Sequence, residues 1–163
     1  MPEVPLNRAA LSLGSNIDKE RNLATAVRLL AEVVRVTAVS SAYETDPVGN
    51  PSQERFLNAA VLVETPLSAD ALKREVLRPI EDHLGRRRTA DKNAPRTIDI
   101  DIAIFNDAIQ NPEVLTRPHA AVPLAEIAPD FRPASSGKTL AEAAVALPQA
   151  GVRRRPDLIL IAL

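Results

Sequence analysis

Apolar and polar residues alternate through Arg96-Thr97-Ile98-Asp99-Ile100-Asp101-Ile102, the period-two pattern of a half-buried β-strand. Side chains two apart on a strand share a face and lie roughly 6–7 Å apart along it. Asp99 and Asp101 therefore project together, with Ile98, Ile100 and Ile102 on the core side, and the strand continues to Phe105. Apolar runs over residues 8–13, 36–43 and 56–64 predict three more strands. Two stretches place apolar residues at helical spacing. Leu23, Val27, Leu30 and Val34 form one face behind Asp18, a candidate N-cap, and Leu72, Val76, Ile80 and Leu84 form another behind Ser68. Pro79 lies inside the second helix, where it should kink it or bend its first half, and Gly85 ends it as a C′ glycine. The order β-α-β-β-α-β predicts an α+β fold with a ferredoxin-like core, an antiparallel sheet with two helices packed on one face.

Beyond Phe105 the pattern weakens into a C-terminal extension. Asn106-Asp107-Ala108 reads as a hairpin turn that residues 115–119 lead out of, 123–128 as a short helical turn, 139–147 as a helix and 158–162 as a final strand or tail. A length of 163 residues suits a single domain over 1–163, and a hydrophobic content of 45% supplies a core. A net charge of −1 does not advertise nucleic-acid or membrane binding. Aromatic residues at 2% speak against a base-stacking RNA surface. The absence of cysteine excludes disulfides and thiolate catalysis, and two histidines exclude a histidine-rich metal site. With no bilayer-length apolar segment and no visible signal peptide, a soluble cytoplasmic protein is expected.

Chemistry gathers at the acidic strand. Two carboxylates on one face repel each other unless a cation pairs with them. A pair of Mg²⁺ ions suits them, because this hard cation takes carboxylate oxygens and shares the rest of its shell with phosphates. Arg86-Arg87-Arg88 and Arg96, just upstream, offer planar forks for phosphate oxygens. A solvated amphipathic strand and a solvated arginine run are the plainer readings. The basic loop leading directly into the acidic strand favours phosphoryl chemistry on a nucleotide. Gly14-Ser15 before a helix is compatible with a phosphate cradle, but no Gly-Lys-Ser/Thr follows and a tight turn accounts for the spacing. Asn58 is polar within an apolar strand and needs a hydrogen-bond partner, structural or ligand.

Several stretches occur together in order: Leu11-Ser12-Leu13-Gly14-Ser15-Asn16, Tyr43-Glu44-Thr45-Asp46-Pro47-Val48-Gly49, Phe56-Leu57-Asn58-Ala59-Ala60, Ile80-Glu81 with Leu84-Gly85-Arg86 and Arg88, Pro95-Arg96-Thr97-Ile98-Asp99-Ile100-Asp101-Ile102, Pro118-His119, and Pro123-Leu124-Ala125-Glu126-Ile127-Ala128-Pro129. Over residues 9–133 the chain resembles the 6-hydroxymethyl-7,8-dihydropterin pyrophosphokinases of folate biosynthesis. The resemblance implies transfer of a pyrophosphoryl group from ATP, as co-substrate, to the pterin hydroxymethyl oxygen, with release of AMP. It implies that Asp99 and Asp101 bind two Mg²⁺ ions and that Arg86 and Arg96 stabilise the transferring group. Arg88, Arg96 and His119 would hold ATP phosphates, and Glu81 and Ile102 the adenosine, with Arg78 nearby where the family often has glutamine. Thr45, Asp46, Val48 and Asn58 would read the pterin edge and Phe56 would stack on its ring. The loop 86–95 would act as a lid. The partners implied are the two small-molecule substrates, with no nucleic acid and no membrane, and a monomer is expected over an oligomer.

The chain also departs from the family. Asn93 and Ala94 stand where an aromatic residue and glycine are common. Only Ala120-Ala121-Val122 separate Pro118-His119 from Pro123-Leu124, where the family inserts an arginine for phosphate and a second stacking phenylalanine. One lost stacking face is worth ~1–3 kcal/mol, roughly tenfold to a hundredfold in pterin affinity. Phe131 and Arg153-Arg154-Arg155 are the candidates to compensate. A diverged diphosphotransferase on another pterin-like alcohol, and a non-catalytic nucleotide-binding module, are the competing readings.

Overall fold

The computed structural model describes residues 4–47, 52–87, 90 and 94–160. Its central strand is β1 (Asn7–Ser15), paired antiparallel with β4 (Phe56–Thr65) on one side and β5 (Asp99–Phe105) on the other. β2 (Arg35–Val39) and β3 (Ala42–Thr45) both pair with β4. A short β6 (Ala108–Ile109) follows β5, and β7 (Val152–Arg155) adds to β3. The sheet order is β6-β5-β1-β4-β3-β7, with β2 also on β4. The expected ferredoxin-like α+β arrangement is thus present, widened at both edges.

Strand alternation splits the sheet into two faces. Leu11, Leu13, Val61, Ile98 and Ile100 turn to one side, where they bury Leu23, Val27 and Leu30 of α1 (Lys19–Val33) and Leu72, Leu77 and Ile80 of the second helical stretch. Each such side chain contributes about 1.5–3 kcal/mol on burial. Ala10, Ala60, Ala103 and Ile104 turn to the other side and meet Val114, Leu124 and Leu140 from α4 (Glu113–Thr116), α5 (Pro118–Ile127) and α6 (Leu140–Val145). Helices therefore pack on both faces, and the C-terminal extension supplies the second layer. A cavity of about 420 Å³, lined by Arg8, Ala10, Leu62, Ile104, Phe131 and Leu140, opens toward the start of β1. The acidic pair sits farther along β1, opposite Ser12 and Gly14.

Several local expectations change. The run 36–43 is two strands, broken at Ser40-Ser41. The Ser40 hydroxyl accepts the Ala60 N–H at 2.8 Å while the Ser40 N–H donates to the Ala60 carbonyl at 2.9 Å, so a side chain replaces a ladder acceptor. Ser68 caps as expected, accepting from Ala71 N–H at 3.1 Å. The helix then runs as α2 (Ala69–Leu72), a π-helical turn (Lys73–Leu77) and α3 (Arg78–His83). Pro79 lacks an N–H and its ring crowds the Glu75 carbonyl, and the wider turn before it absorbs that misfit. Gly85 closes the helix at φ 82°. Asp18 occupies the N-cap of α1 but in a left-handed conformation, with no side-chain cap. Its carbonyl accepts Asn22 N–H at 2.8 Å instead.

The Ala120-Ala121-Val122 link is helical, so Pro118-His119 and Pro123-Leu124 lie on one continuous α5 in place of a loop and a short turn. The helix expected over 139–147 is α6, which opens with a capping box between Thr139 and Glu142. The last strand is β7, ahead of the expected 158–162, of which 161 and 162 lie outside the described residues. Among the described residues, no helix is long and apolar enough to cross a membrane.

Candidate active site

The register aligns the implied functional residues across four strands. Asp99 faces Gly14 and Asp101 faces Ser12 on β1. Gly14 in turn faces Asn58 on β4, Asn58 faces Tyr43, and Phe56 faces Thr45 on β3. Paired residues lie on the same side of a sheet, so Asp99, Asp101, Gly14, Phe56, Asn58 and Thr45 share the face opposite the main core. The residues expected to face phosphate and those expected to face the pterin thus stand on neighbouring strands.

Charges concentrate around Asp99. Arg96 Nη1 donates to Asp99 Oδ2 at 2.9 Å, and Arg86 Nη2 lies 4.0 Å from Asp99 Oδ1. Arg86 Nη1 donates to the Arg87 carbonyl at 2.9 Å, while Arg86 Nε is buried without a hydrogen-bond partner. That orphan donor marks a guanidinium placed for something besides this carboxylate. The Asp101 carboxyl is pushed up to about 6, first by loss of surrounding water and then by the Asp99 charge, against the pull of Arg96 and Lys73. The residue is nonetheless exposed, so the like-charge repulsion is the contribution a cation would relieve. Among the described residues no group of three or more His, Cys, Asp or Glu converges. Two carboxylates without a closed cage suit Mg²⁺, which keeps waters and takes substrate phosphates as its remaining ligands.

The turn Gly14-Ser15-Asn16 has a structural task that its sequence did not announce. Ser15 and Asn16 are buried. Ser15 Oγ donates to the Thr97 carbonyl at 2.5 Å, Arg96 N–H donates to Asn16 Oδ1 at 2.7 Å, and Asn16 N–H donates to the Arg96 carbonyl at 3.0 Å. The turn therefore grips the chain just ahead of the acidic strand. Asn16 Nδ2 also donates to Gln53 Oε1 at 3.0 Å and the Glu54 carbonyl at 3.2 Å. The only outward signal was two small polar residues at a strand end.

Of the residues expected to read the pterin, Asn58 is buried and donates to Thr45 Oγ1 at 2.6 Å, with a longer contact to the Tyr43 carbonyl at 3.4 Å. A Cβ on Gly14 would come within 3.1 Å of Asn58 Oδ1 and 3.7 Å of Phe56 Cδ1, so the bare strand position makes room for both. Asp46 turns aside: it pairs with Arg55 at 2.8 Å and lies against Gly151. Val48 lies outside the described residues.

Of the residues expected to hold the nucleotide, His119, in the first turn of α5, meets Glu113 at 3.2 Å. Arg78 is exposed on α3, and Ile102 turns its half-buried side chain toward the main core. Arg88, Asn93 and most of the expected lid between Arg87 and Ala94 lie outside the described residues. Glu81 is buried, and its carboxylate accepts the Ile100 N–H at 2.8 Å.

Of the expected compensations, Phe131, Arg153 and Arg155 lie away from Asn58, whereas Arg154, opposite Tyr43, shares its face. Phe131 packs in the second core and lines the cavity near Arg8, because the turn after α5 carries it toward the start of β1. Arg153 and Arg155 lie on the opposite face, where Arg153 binds Glu44 at 2.7 Å and Arg155 reaches Glu44 at 3.6 Å. Lys19 completes this cluster at 2.8 Å. The Lys19 contact, with Arg153, holds the Glu44 carboxyl down at about 2 against partial burial. Arg154 Nε donates to Ser41 Oγ at 3.0 Å. Sequence reading missed the Lys19–Glu44–Arg153 cluster, whose members are far apart in the chain.

The 7,8-dihydro-6-hydroxymethylpterin-pyrophosphokinase (HPPK) profile matches residues 10–129. A 2-amino-4-hydroxy-6-hydroxymethyldihydropteridine pyrophosphokinase from Methylorubrum extorquens is 43% identical over 160 residues, covering 91% of this chain and 99% of its own. One from Bacillus subtilis is 46% identical over 132 residues, covering 74% of this chain and 78% of its own. Among solved structures, a Plasmodium falciparum HPPK-DHPS chain superposes with a TM-score of 0.70 at 15% identity, over 88% of this chain. This chain spans 46% of that longer one, which supports the fold alone. The matched span takes in β3, β4 and β5 whole and β1 from Ala10 onward, the strands that carry the shared polar face, and this chain belongs to the 7,8-dihydro-6-hydroxymethylpterin-pyrophosphokinase family.

Proposed function

We infer that this protein is an ATP-dependent transferase that moves pyrophosphate to the hydroxymethyl group of 6-hydroxymethyl-7,8-dihydropterin, giving AMP and the pterin diphosphate for folate synthesis. The observation that carries this reading is the shared face, with the acidic pair of β5 beside Gly14, Asn58 and Phe56. Two reactants held on one rigid sheet react as neighbours, which removes much of the entropic barrier.

In this reading Asp99 and Asp101 hold two Mg²⁺ ions. When bound, they neutralise charge on the phosphates during transfer. Arg96, held by the Asn16 clamp and by Asp99, meets the transferring group with a preset guanidinium. Arg86, with its unsatisfied Nε, joins it from the end of the helix. His119 and Arg88 take ATP phosphates, and the Ile102 backbone takes the adenosine. Asn58 reads the pterin edge together with the Thr45 backbone, and Phe56 stacks on the ring. We propose, on the family resemblance, a single domain that works as a monomer.

The test is a mass-resolved turnover assay with ATP, Mg²⁺ and 6-hydroxymethyl-7,8-dihydropterin. Equal amounts of AMP and pterin diphosphate are expected. The short helical link in α5 keeps a second reading in view, a different pterin-like alcohol as acceptor. Assaying several pterin alcohols in parallel separates the two. ATP binding without any diphosphate product would overturn the transferase reading.

A further inference from the structure

The cavity at the start of β1 lies on the same sheet face as the acidic pair, at the other end of the strand. Its floor is Ala10 with the two residues that face it, Leu62 on β4 and Ile104 on β5. Phe131 and Leu140 form a wall. A volume of about 420 Å³ falls within the ~300–1,000 Å³ of pockets that take small organic ligands, and such pockets are lined, as here, mainly by apolar side chains. Ala10 and Ala128 line it as well, and their short side chains leave the space that larger ones would fill.

The walls are fixed by the fold itself. Leu140 N–H donates to the Phe131 carbonyl at 2.9 Å, and Ala134 N–H donates to the Asp107 carbonyl at 2.8 Å. The turn that carries Phe131 is thereby tied to α6 and to the turn between β5 and β6. At the mouth, Arg8 N–H donates to Asn106 Oδ1 at 2.9 Å and the Arg8 carbonyl accepts the Asn106 N–H at 2.6 Å. A pocket ordered in advance costs little further entropy on binding.

Charge at the mouth selects the head group. Glu64 faces Arg8 on β1 and Arg35 on β2. Its carboxylate lies 3.9 Å from Arg8 and 3.4 Å from Arg35. One anion is thus shared by two cations, and the three groups together carry one positive charge in excess. The Arg8 side chain is 83% exposed, so its guanidinium can swing over the opening. A guanidinium takes a carboxylate through two parallel N–H···O bonds. The Phe131 ring favours a second ring in offset or edge contact.

We propose that this pocket binds a small aromatic carboxylate, with its ring between Phe131 and the floor of Ala10, Leu62 and Ile104 and its carboxylate on Arg8. The acidic pair stands beside Ser12 and Gly14, whereas the pocket lies over Arg8 and Ala10. Binding therefore needs neither nucleotide nor Mg²⁺, and it does not rest on the transferase reading.

The probe is 2-naphthoate, titrated by calorimetry into the full chain. One molecule per chain is expected, with a Kd below about 1 mM. 2-Naphthamide has the same shape without the charge and should bind about fivefold more weakly, as an ion pair at an exposed mouth allows. Arg8→Gln should weaken 2-naphthoate about fivefold and leave 2-naphthamide within about twofold. Decanoate keeps the carboxylate but lacks the ring, and should bind at least about threefold more weakly. Ala128→Leu fills the wall and should weaken 2-naphthoate more than about tenfold. If that variant does not fold, Thr37→Trp at the rim takes its place with the same expected loss. A saturating non-hydrolysable ATP analogue with Mg²⁺ should leave the Kd within about twofold.

The proposal is overturned by an absence of binding up to about 5 mM, by equal affinity for acid and amide, or by displacement with the ATP analogue, which would place the probe in the nucleotide site. It is overturned equally if the filled pocket binds 2-naphthoate as wild type does, or if decanoate binds as tightly as 2-naphthoate.

Discussion

In the proposed site Asp101 carries opposing demands: its carboxyl would have to ionise to hold a cation, yet Asp99 stands on the same face. Its folded value of about 6 lies above the ordinary 3.8. The folded state therefore holds the proton more tightly than the unfolded chain, and metal-free stability falls as pH rises between those values. The exposure of the side chain keeps that loss modest. Asp101→Asn should flatten the fall, leave the metal-free melting temperature at pH 7 unchanged or slightly higher, and cut kcat by at least about a hundredfold. Thermal melts in EDTA from pH 4 to 8 check the first part and steady-state assays the second. A variant that melts lower in EDTA would make the carboxylate structural. Gly14 offers a second test on the neighbouring strand. An added methyl would meet Asn58 Oδ1 at 3.1 Å and Phe56 Cδ1 at 3.7 Å, so Gly14→Ala should raise KM for the pterin about tenfold, the scale of one stacking contact. KM for ATP should not move. Equal changes in both would remove Asn58 and Phe56 from the pterin side.

At the scale of elements, β7 locks the outer edge of the sheet through a residue on another strand. Glu44 is buried and answers Lys19, Arg153 and Arg155 together. With its carboxyl held at about 2, below the ordinary 4.5, it binds fewer protons folded than unfolded. Its stabilisation is present in full above about 4.5 and is lost as pH falls toward 2. Glu44→Gln should cost about 3 kcal/mol at pH 7, because Lys19 and Arg153 lose their carboxylate while Arg155 keeps Asp157 and Glu20. Denaturant unfolding at pH 7 and pH 3 should then show the gap between variant and wild type shrinking in acid. What the sequence disclosed divides along the same line. Short-range periodicity was enough for β1, β4, β5 and α1, since alternation and the helical repeat are local consequences of burial. Ser68 and Gly85 marked helix ends for equally local reasons. The break at Ser40, the clamp of Ser15 and Asn16 on residues 96–97, and the bond from Glu81 to Ile100 join distant segments. No periodic pattern carries such pairings. β7 is a run of arginines whose strand character comes from the edge of β3 and the charge of Glu44.

For the whole molecule, the fold divides labour between the two faces of one sheet. The face under α1 and the α2–α3 stretch holds the main apolar core. The other face is apolar at one end, under α5 and α6, and carries Asp99, Asp101, Asn58 and Phe56 at the other. Ligands gripping that polar end bind folded protein and not unfolded chain, so they should raise stability by mass action. A non-hydrolysable ATP analogue at a hundred times its Kd contributes about 2.7 kcal/mol, which for a chain of this size is roughly 5–10 °C in Tm. If the acidic pair recruits the nucleotide through Mg²⁺, the rise should appear with the analogue and Mg²⁺ together. It should shrink to a degree or two when EDTA replaces the metal, and Asp99→Asn should shrink it equally without lowering the ligand-free Tm by more than a few degrees. A rise of the same size in EDTA would mean that the arginines alone hold the nucleotide. The carboxylates would then have no part in binding, and the non-catalytic nucleotide-binding module would replace the transferase as the reading of this site.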